Sequence, residues 1–233
     1  MHHHDDDGRT SRRGVVYVAW GREHVAVARR SADSVKRHNP DLSTALWCRA
    51  GDDTSGFDMA FTIPEGLRRP KVNLLGQTPF DETLFLDNDT LVRSALGSLF
   101  RLLEGYDMAG AQVQLWHRER HQKPIQLDLP DAFPEINTGV LLYRRSPPVL
   151  DLLNRWALLY AEGPYGIDQP SFREVLWDSP DLRFHVLPPQ YNKRLFEASE
   201  LIWSEQPRTR ILHLELLRPQ RNPVLRWLSN RVR

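Results

Sequence analysis

Cysteine is almost missing from this chain. Cys48 is the single one in 233 residues, so no disulfide can form within the chain, and a reducing compartment is allowed though not required. No apolar run approaches the length of a membrane span, so no integral membrane segment is expected. The opening Met1-His2-His3-His4-Asp5-Asp6-Asp7-Gly8 carries none of the apolar character of a secretory signal. These absences predict a cytoplasmic protein whose first 12 or so residues are disordered. Strong net charge is lacking too: +1 overall gives no global pull toward nucleic acid. Lysine is scarce, 4 against 27 arginines, and the arginines are uneven, with five and no acid between Arg218 and Arg233. No internal repeat is found, which sets solenoid architectures aside.

What is present is ordinary for a globular domain: 40% hydrophobic and 26% charged residues, in a length that buries a sizeable core. The division expected is a polar head at 1–12, one domain at 13–217 and a basic amphipathic tail at 218–233. In that domain Gly14 to Ala19 is a β-branched strand ending at Trp20-Gly21. Val25, Ala28, Ala32 and Val35 then recur at helical spacing until Asn39-Pro40 stops the run. Ala45 to Cys48 and Met59 to Ile63 read as further strands, and Lys71 to Gly76 as a short helix feeding a strand at Thr83 to Leu86. A helix is expected over Ser94 to Leu103, and a strand over Asp107 to Ala111. Gln114 to Pro134 lacks a clear period and predicts a mobile loop. Strand character returns at Ile136 to Tyr143, followed by a helix from Pro147 to Tyr160 and another opened by Gly166-Ile167-Asp168-Gln169. Phe184 to Leu187 and Arg210 to Leu214 close the series. Strands separated by helices imply an α/β sheet with parallel neighbours.

The most informative stretch is Glu82 to Val92. Its apolar run, Leu84-Phe85-Leu86, reads as a buried strand, and Asp87-Asn88-Asp89-Thr90 is a poor continuation of one. The two carboxylates therefore sit where the strand ends, the edge at which open α/β sheets bind ligands. Paired oxygen ligands there suit a hard divalent ion, Mg²⁺ or Mn²⁺, that in turn holds a diphosphate. Taken alone, the pair also fits other roles. An acid at this point can start a helix. An apolar strand followed by Asp-x-Asp-x-Thr also fits the haloacid-dehalogenase phosphatases, in which Asp87 would attack phosphorus and Asp89 would handle protons. That class needs a paired-acid metal motif, and none follows residue 90.

The rest of the chain resembles the glycogenin-like nucleotide-sugar transferases with the GT-A fold, over roughly residues 14 to 214. The landmarks fall in order: Val15 to Ala19; Lys71 ahead of Phe85-Leu86-Asp87-Asn88-Asp89-Thr90; Phe133-Pro134-Glu135-Ile136-Asn137-Thr138-Gly139-Val140; Asp168-Gln169; Leu187-Pro188-Pro189-Gln190-Tyr191-Asn192; and Ile211-Leu212-His213. The Gly and Lys-Pro-Trp that follow this His in the family are missing here.

The resemblance implies a single Rossmann-like mixed sheet flanked by helices. It also implies a metal-dependent hexosyltransferase that retains anomeric configuration, using a nucleotide-sugar donor such as a UDP-sugar. Asp87, Asp89 and His213 would hold Mn²⁺ or Mg²⁺, which acts as a Lewis acid on the leaving diphosphate. Tyr17, Ala19, Lys71, Asn88 and Arg218 would meet the donor with the acidic pair. Asn137, Gln169 and Asp168 would face the transferred sugar, although Asp168 equally suits a helix N-cap. Trp116, His117, Arg118 and His121 stand where an acceptor would arrive, or on a solvated loop. The acceptor hydroxyl stays open among glycans, lipid-linked glycans, proteins, small molecules and modified DNA. The tail from Asn222 to Arg233 packs on its own domain or touches a membrane face or polymer peripherally. A non-catalytic nucleotide-sugar-binding module is the third alternative.

Overall fold

The computed structural model describes residues 12–113, 126–194 and 209–214. Seven strands form the central sheet: β1 Arg13–Val18, β2 Ser43–Cys48, β3 Met59–Thr62, β4 Glu82–Leu86, β6 Met108–Gln112, β7 Ile136–Arg144 and β8 Phe184–Leu187. Their spatial order is β3-β2-β1-β4-β7-β6-β8. All run in one direction except β7, which is antiparallel to both β4 and β6. One edge of the sheet therefore gathers the carboxyl ends of six strands and the start of β7.

Alternation along the strands explains how the sheet is covered on both faces. Val15, Tyr17, Leu84 and Leu86 point to one face, where they meet helix α1 (Arg22–His38) through Val25, Ala28, Ala32 and Val35. Those four are the residues whose spacing predicts the helix, and all are buried. Val16 and Phe85 point to the other face with Leu141 and Tyr143. That core is capped by α2 (Pro70–Leu74), α4 (Pro147–Glu162) and α5 (Asp168–Trp177), with Trp156, Tyr165 and Phe172 at its centre.

A second sheet of three short strands lies beside the first: β5 Thr90–Val92, β10 Ile211–His213 and β9 Lys193–Arg194, in the order β5-β10-β9. It is not announced by the sequence, because strands of two and three residues carry no readable period. β5 also shortens the helix expected over Ser94 to Leu103. The Arg93 amide bonds the Arg210 carbonyl and the Leu96 amide is taken by Asn39 Oδ1, so α3 begins only at Gly97, ends at Phe100, and tightens into a 3-10 turn at Arg101–Glu104. β7 makes the sheet mixed, as the resemblance implied, where strands separated by helices alone would read as parallel. Arg12, placed in the polar head by the sequence, pairs with Asp81 through its amide and its side chain. Residues 1–11, the 114–125 part of the predicted loop and the 218–233 tail lie outside the described residues. Among the described residues no helix is long and apolar enough to cross a membrane, and Cys48 is a buried free thiol.

Candidate metal and donor site

β4 ends at Leu86, but its ladder does not: the Asp87 amide still bonds the Gly139 carbonyl of β7 at 2.8 Å. The chain then turns through Asn88 and Asp89 into β5, whose pairing partner is β10. His213 stands opposite Thr90, and the Leu214 amide bonds the Asp89 carbonyl at 2.8 Å. The small sheet is thus what carries a histidine from more than a hundred residues downstream to the acidic pair.

Ligand atoms of Asp87, Asp89 and His213 all lie within 4.8 Å of one another. His213 Nε2 is 3.1 Å from Asp89 Oδ1 and 3.8 Å from Asp87 Oδ2. Its other nitrogen, Nδ1, is 2.9 Å from Asn192 Oδ1. An amide oxygen only accepts, so Nδ1 carries a proton, and in the neutral imidazole Nε2 is then the lone-pair nitrogen that faces the acids. His213 is buried, and among the described residues Nε2 has no hydrogen-bond partner. A lone pair facing a fully buried carboxylate at this distance is unfavourable until a metal ion or a proton lies between them. The donor set of two carboxylates and one imidazole, with a second residue orienting the imidazole, fits a divalent ion such as Mn²⁺ or Mg²⁺.

Gly139 makes room for this cluster. A Cβ there would overlap the His213 ring and stand 2.7 Å from Asp87 Oδ2. The loop is braced from behind as well. Thr90 Oγ1 donates to the Asp87 carbonyl at 2.9 Å, so it must accept from Ser31 Oγ at 2.9 Å, which in turn accepts from the Tyr17 hydroxyl at 3.0 Å. Tyr17, expected to frame a nucleotide, has a fully buried ring committed to this chain of hydroxyls under α1. Burial pushes its phenol well above the usual range, against the Ser31 hydrogen bond, so it stays a donor. Ala19 lies just past β1 and is buried, with its amide on the Trp47 carbonyl. Asn88 is partly exposed and its amide meets His24 Nδ1 at 3.2 Å.

Lys71 joins the metal cluster to Asp168. Its ammonium is 3.2 Å from Asp87 Oδ1 and 2.9 Å from Asp168 Oδ2, and it donates to Thr138 Oγ1 at 3.0 Å. It is buried rather than a solvated helix charge. Asp168 Oδ2 also accepts from Thr138 Oγ1 at 3.1 Å, and Oδ1 pairs with Arg69 at 3.3 Å. Burial alone would raise this carboxyl, but the charges of Lys71 and Arg69 overcome it and hold it below the usual carboxylate range. Asp168 is the first residue of α5, and the N-cap position itself is taken by Ile167. Asn137 is buried beside the cluster. Its Oδ1 accepts from the Gly139 amide at 3.0 Å, and its Nδ2 has no partner among the described residues. Gln169 is half-buried at the start of α5.

Sequence reasoning thus named Asp87, Asp89, His213, Lys71, Asn137 and Asp168, which the fold brings into one network. It did not single out Arg69, Thr138, Asn192 or Gly139 for a role, although the last three lie within the quoted landmarks. Arg218, Trp116, His117, Arg118 and His121 lie outside the described residues.

No protein-family model matches the chain, and no curated protein matches it. Solved structures do. The galactosyltransferase LgtC, in complex with donor and acceptor sugar analogues, aligns with a TM-score of 0.62 at 17% identity, covering 94% of this chain and 93% of that one. The glycosyltransferase GlyE of Streptococcus pneumoniae aligns at 0.58 with 19% identity over 88% of this chain and 54% of its own. Mouse xyloside xylosyltransferase 1 aligns at 0.56 with 15% identity over 89% and 99%. With a mixed seven-stranded sheet and the acidic pair at the end of β4, the chain has the GT-A fold that these glycosyltransferases share.

Proposed function

We propose that the chain is a metal-dependent glycosyltransferase that moves a hexose from a nucleotide-diphospho-sugar, a UDP-sugar first among them, to a hydroxyl acceptor with retention of anomeric configuration. The observation that carries this reading is the buried triad Asp87, Asp89 and His213, assembled at the ligand-binding edge of a GT-A fold. Breaking the anomeric C–O bond leaves negative charge on the β-phosphate while the sugar becomes cation-like. A divalent ion bound by the triad would supply Lewis-acid stabilisation of the leaving diphosphate.

The chain's own residues account for the rest. Lys71 pairs with both carboxylates, Asp87 as a metal ligand and Asp168 as a fixed negative charge for the cation-like sugar. Asn137 offers an amide donor without a partner among the described residues, and Gln169 a half-buried amide, to the sugar hydroxyls. Neither Asp168 nor Gln169 is assigned as a covalent nucleophile. Asn88, the backbone at the end of β1 near Tyr17 and Ala19, and Arg218 complete the donor contacts in this reading. The GT-A fold favours it over the haloacid-dehalogenase alternative, whose metal motif the chain does not carry.

A ligand that binds only the folded state raises apparent stability, by about 2.7 kcal/mol at a concentration 100 times its Kd. A thermal-shift screen of nucleotide sugars should therefore show a rise for one donor that requires Mn²⁺ or Mg²⁺. No rise with any nucleotide would remove the transferase reading. A rise without release of the nucleoside diphosphate on addition of acceptors would favour the non-catalytic binding module.

A further inference from the structure

Arg69 stands just before α2, where its carbonyl accepts from the Val72 amide at 3.0 Å. Its neighbours fix the backbone on both sides. Arg68 donates to the carbonyls of Tyr160, Gly163 and Tyr165 and lies over the Tyr160 ring, while Pro70 and Lys71 are buried. The Arg69 side chain is 44% exposed, and its guanidinium meets the protein at one point, Nη2 to Asp168 Oδ1 at 3.3 Å. Nε and Nη1 have no partner among the described residues. A guanidinium carries five N–H donors in a planar fork that fits a carboxylate, so most of this one is unused.

Charge and position narrow what it can meet. Asp87 and Asp89 balance a divalent ion, and Lys71, 2.9 Å from Asp168 Oδ2, balances Asp168. Thr138 donates to the same oxygen. Arg69 is thus a cation beyond those pairs. Its contact with Asp168 is the third ion pair counted from Asp87, after Asp87 to Lys71 and Lys71 to Asp168. A diphosphate would lie on the ion, at the other end of that series. In the transferase reading Asp168 faces the transferred sugar, so Arg69 stands at the sugar end of the site.

We propose that Arg69 reads a carboxylate on the transferred sugar, so that the donor is a nucleotide hexuronate, the hexose oxidised at C6. This rests on the transferase reading above. A neutral hexose leaves the guanidinium to solvent. A uronate pairs with it through N–H groups that Asp168 does not use, in a geometry that a point charge cannot copy. Lys71 is already shared between two carboxylates and is buried, so it does not supply this contact. The transfer itself is unchanged. The anomeric C–O bond to the β-phosphate breaks with its electron pair on the phosphate oxygen, the acceptor oxygen bonds that carbon, and the acceptor proton leaves with the diphosphate.

The test measures equilibrium binding of two donor pairs to the full chain with Mn²⁺: UDP-glucose against UDP-glucuronate, and UDP-galactose against UDP-galacturonate. Each pair differs only at C6, so the ratio isolates the carboxylate. In at least one pair the uronate should bind about tenfold more tightly, as expected for a hydrogen bond to a charged group. The ratio should shrink at high ionic strength, because the guanidinium is half-exposed. Arg69→Gln should bring it to within about threefold of unity, and Arg69→Lys should keep part of it. A merely structural role through Asp168 would instead weaken both members of a pair together and leave the ratio standing. Neutral donors that bind as tightly as their uronates to the wild type, or an unchanged ratio in Arg69→Gln, overturn the proposal. The wild-type ratio decides even if the variants fail to fold. Binding of UDP itself, read on the same samples, separates the two claims. UDP binding without a uronate preference sinks this inference alone, and absence of any nucleotide binding sinks the transferase reading and this inference with it.

Discussion

Asp89→Asn is expected to lower metal-dependent turnover of the nucleotide sugar by at least about 100-fold, close to 2.7 kcal/mol of transition-state stabilisation, with the fold unchanged by circular dichroism. Asp89 is the sharper probe of the acidic pair. Asp87 divides its oxygens between Lys71 and the cluster, so its replacement also strips a buried ammonium of one partner. Asp89 is fully buried and its Oδ1 stands nearest His213 Nε2, so the amide removes one anionic ligand at nearly constant shape. The amide also presents a weaker donor to a hard ion. Activity should be partly restored by raising the Mn²⁺ concentration, as expected when affinity for the ion is what was lost. Wild-type rates at low Mn²⁺ in the variant would remove Asp89 from the site.

Lys71→Met is expected to cost stability rather than activity alone. The ammonium lies between two carboxylates in a buried setting, with Thr138 on its third side. Removing one partner of such a pair costs about 3–5 kcal/mol, because the charge left behind stays buried. Arg69 remains on Asp168 but is considerably more exposed. Adding Asp168→Asn to Lys71→Met should recover part of the loss, and chemical denaturation of the single and double variants measures the coupling.

The pH dependence follows from the sign of the shift. A carboxyl held below its unfolded value stabilises the fold above about pH 4 and loses that contribution as pH falls further. Wild type should therefore lose stability more steeply in acid than Asp168→Asn. Additive single and double variants, or equal acid profiles, would mean that Lys71 and Asp168 are not coupled.

The acidic pair was legible in the sequence because an apolar run of three residues stops abruptly at Asp87, and a strand end in an α/β sheet is already a ligand edge. The four apolar positions of α1 were legible for the same reason, since a helical period repeats long enough to be read. His213 and Lys71 were placed only through resemblance, because nothing local in Ile211-Leu212-His213 or around Lys71 says what each will face. Their placement depends on β10 pairing with β5 and on α2 packing under the sheet. Tyr17 shows the opposite limit. The resemblance implied a donor contact for it, and what the sequence did not announce is that strand alternation turns the ring into the core as a brace for the Asp87 loop. Glu135 could be quoted as part of a landmark without a role, because its distinction lies in burial and in two oxygens without partners among the described residues.

The most direct test of the account is anomalous scattering at the manganese edge from crystals grown with Mn²⁺ and UDP. A peak bounded by the Asp87 and Asp89 carboxylates and His213 Nε2, with the diphosphate as a further ligand, is the expected result. A nucleotide bound without a peak there, or a peak elsewhere that leaves His213 Nε2 uncoordinated, would contradict it.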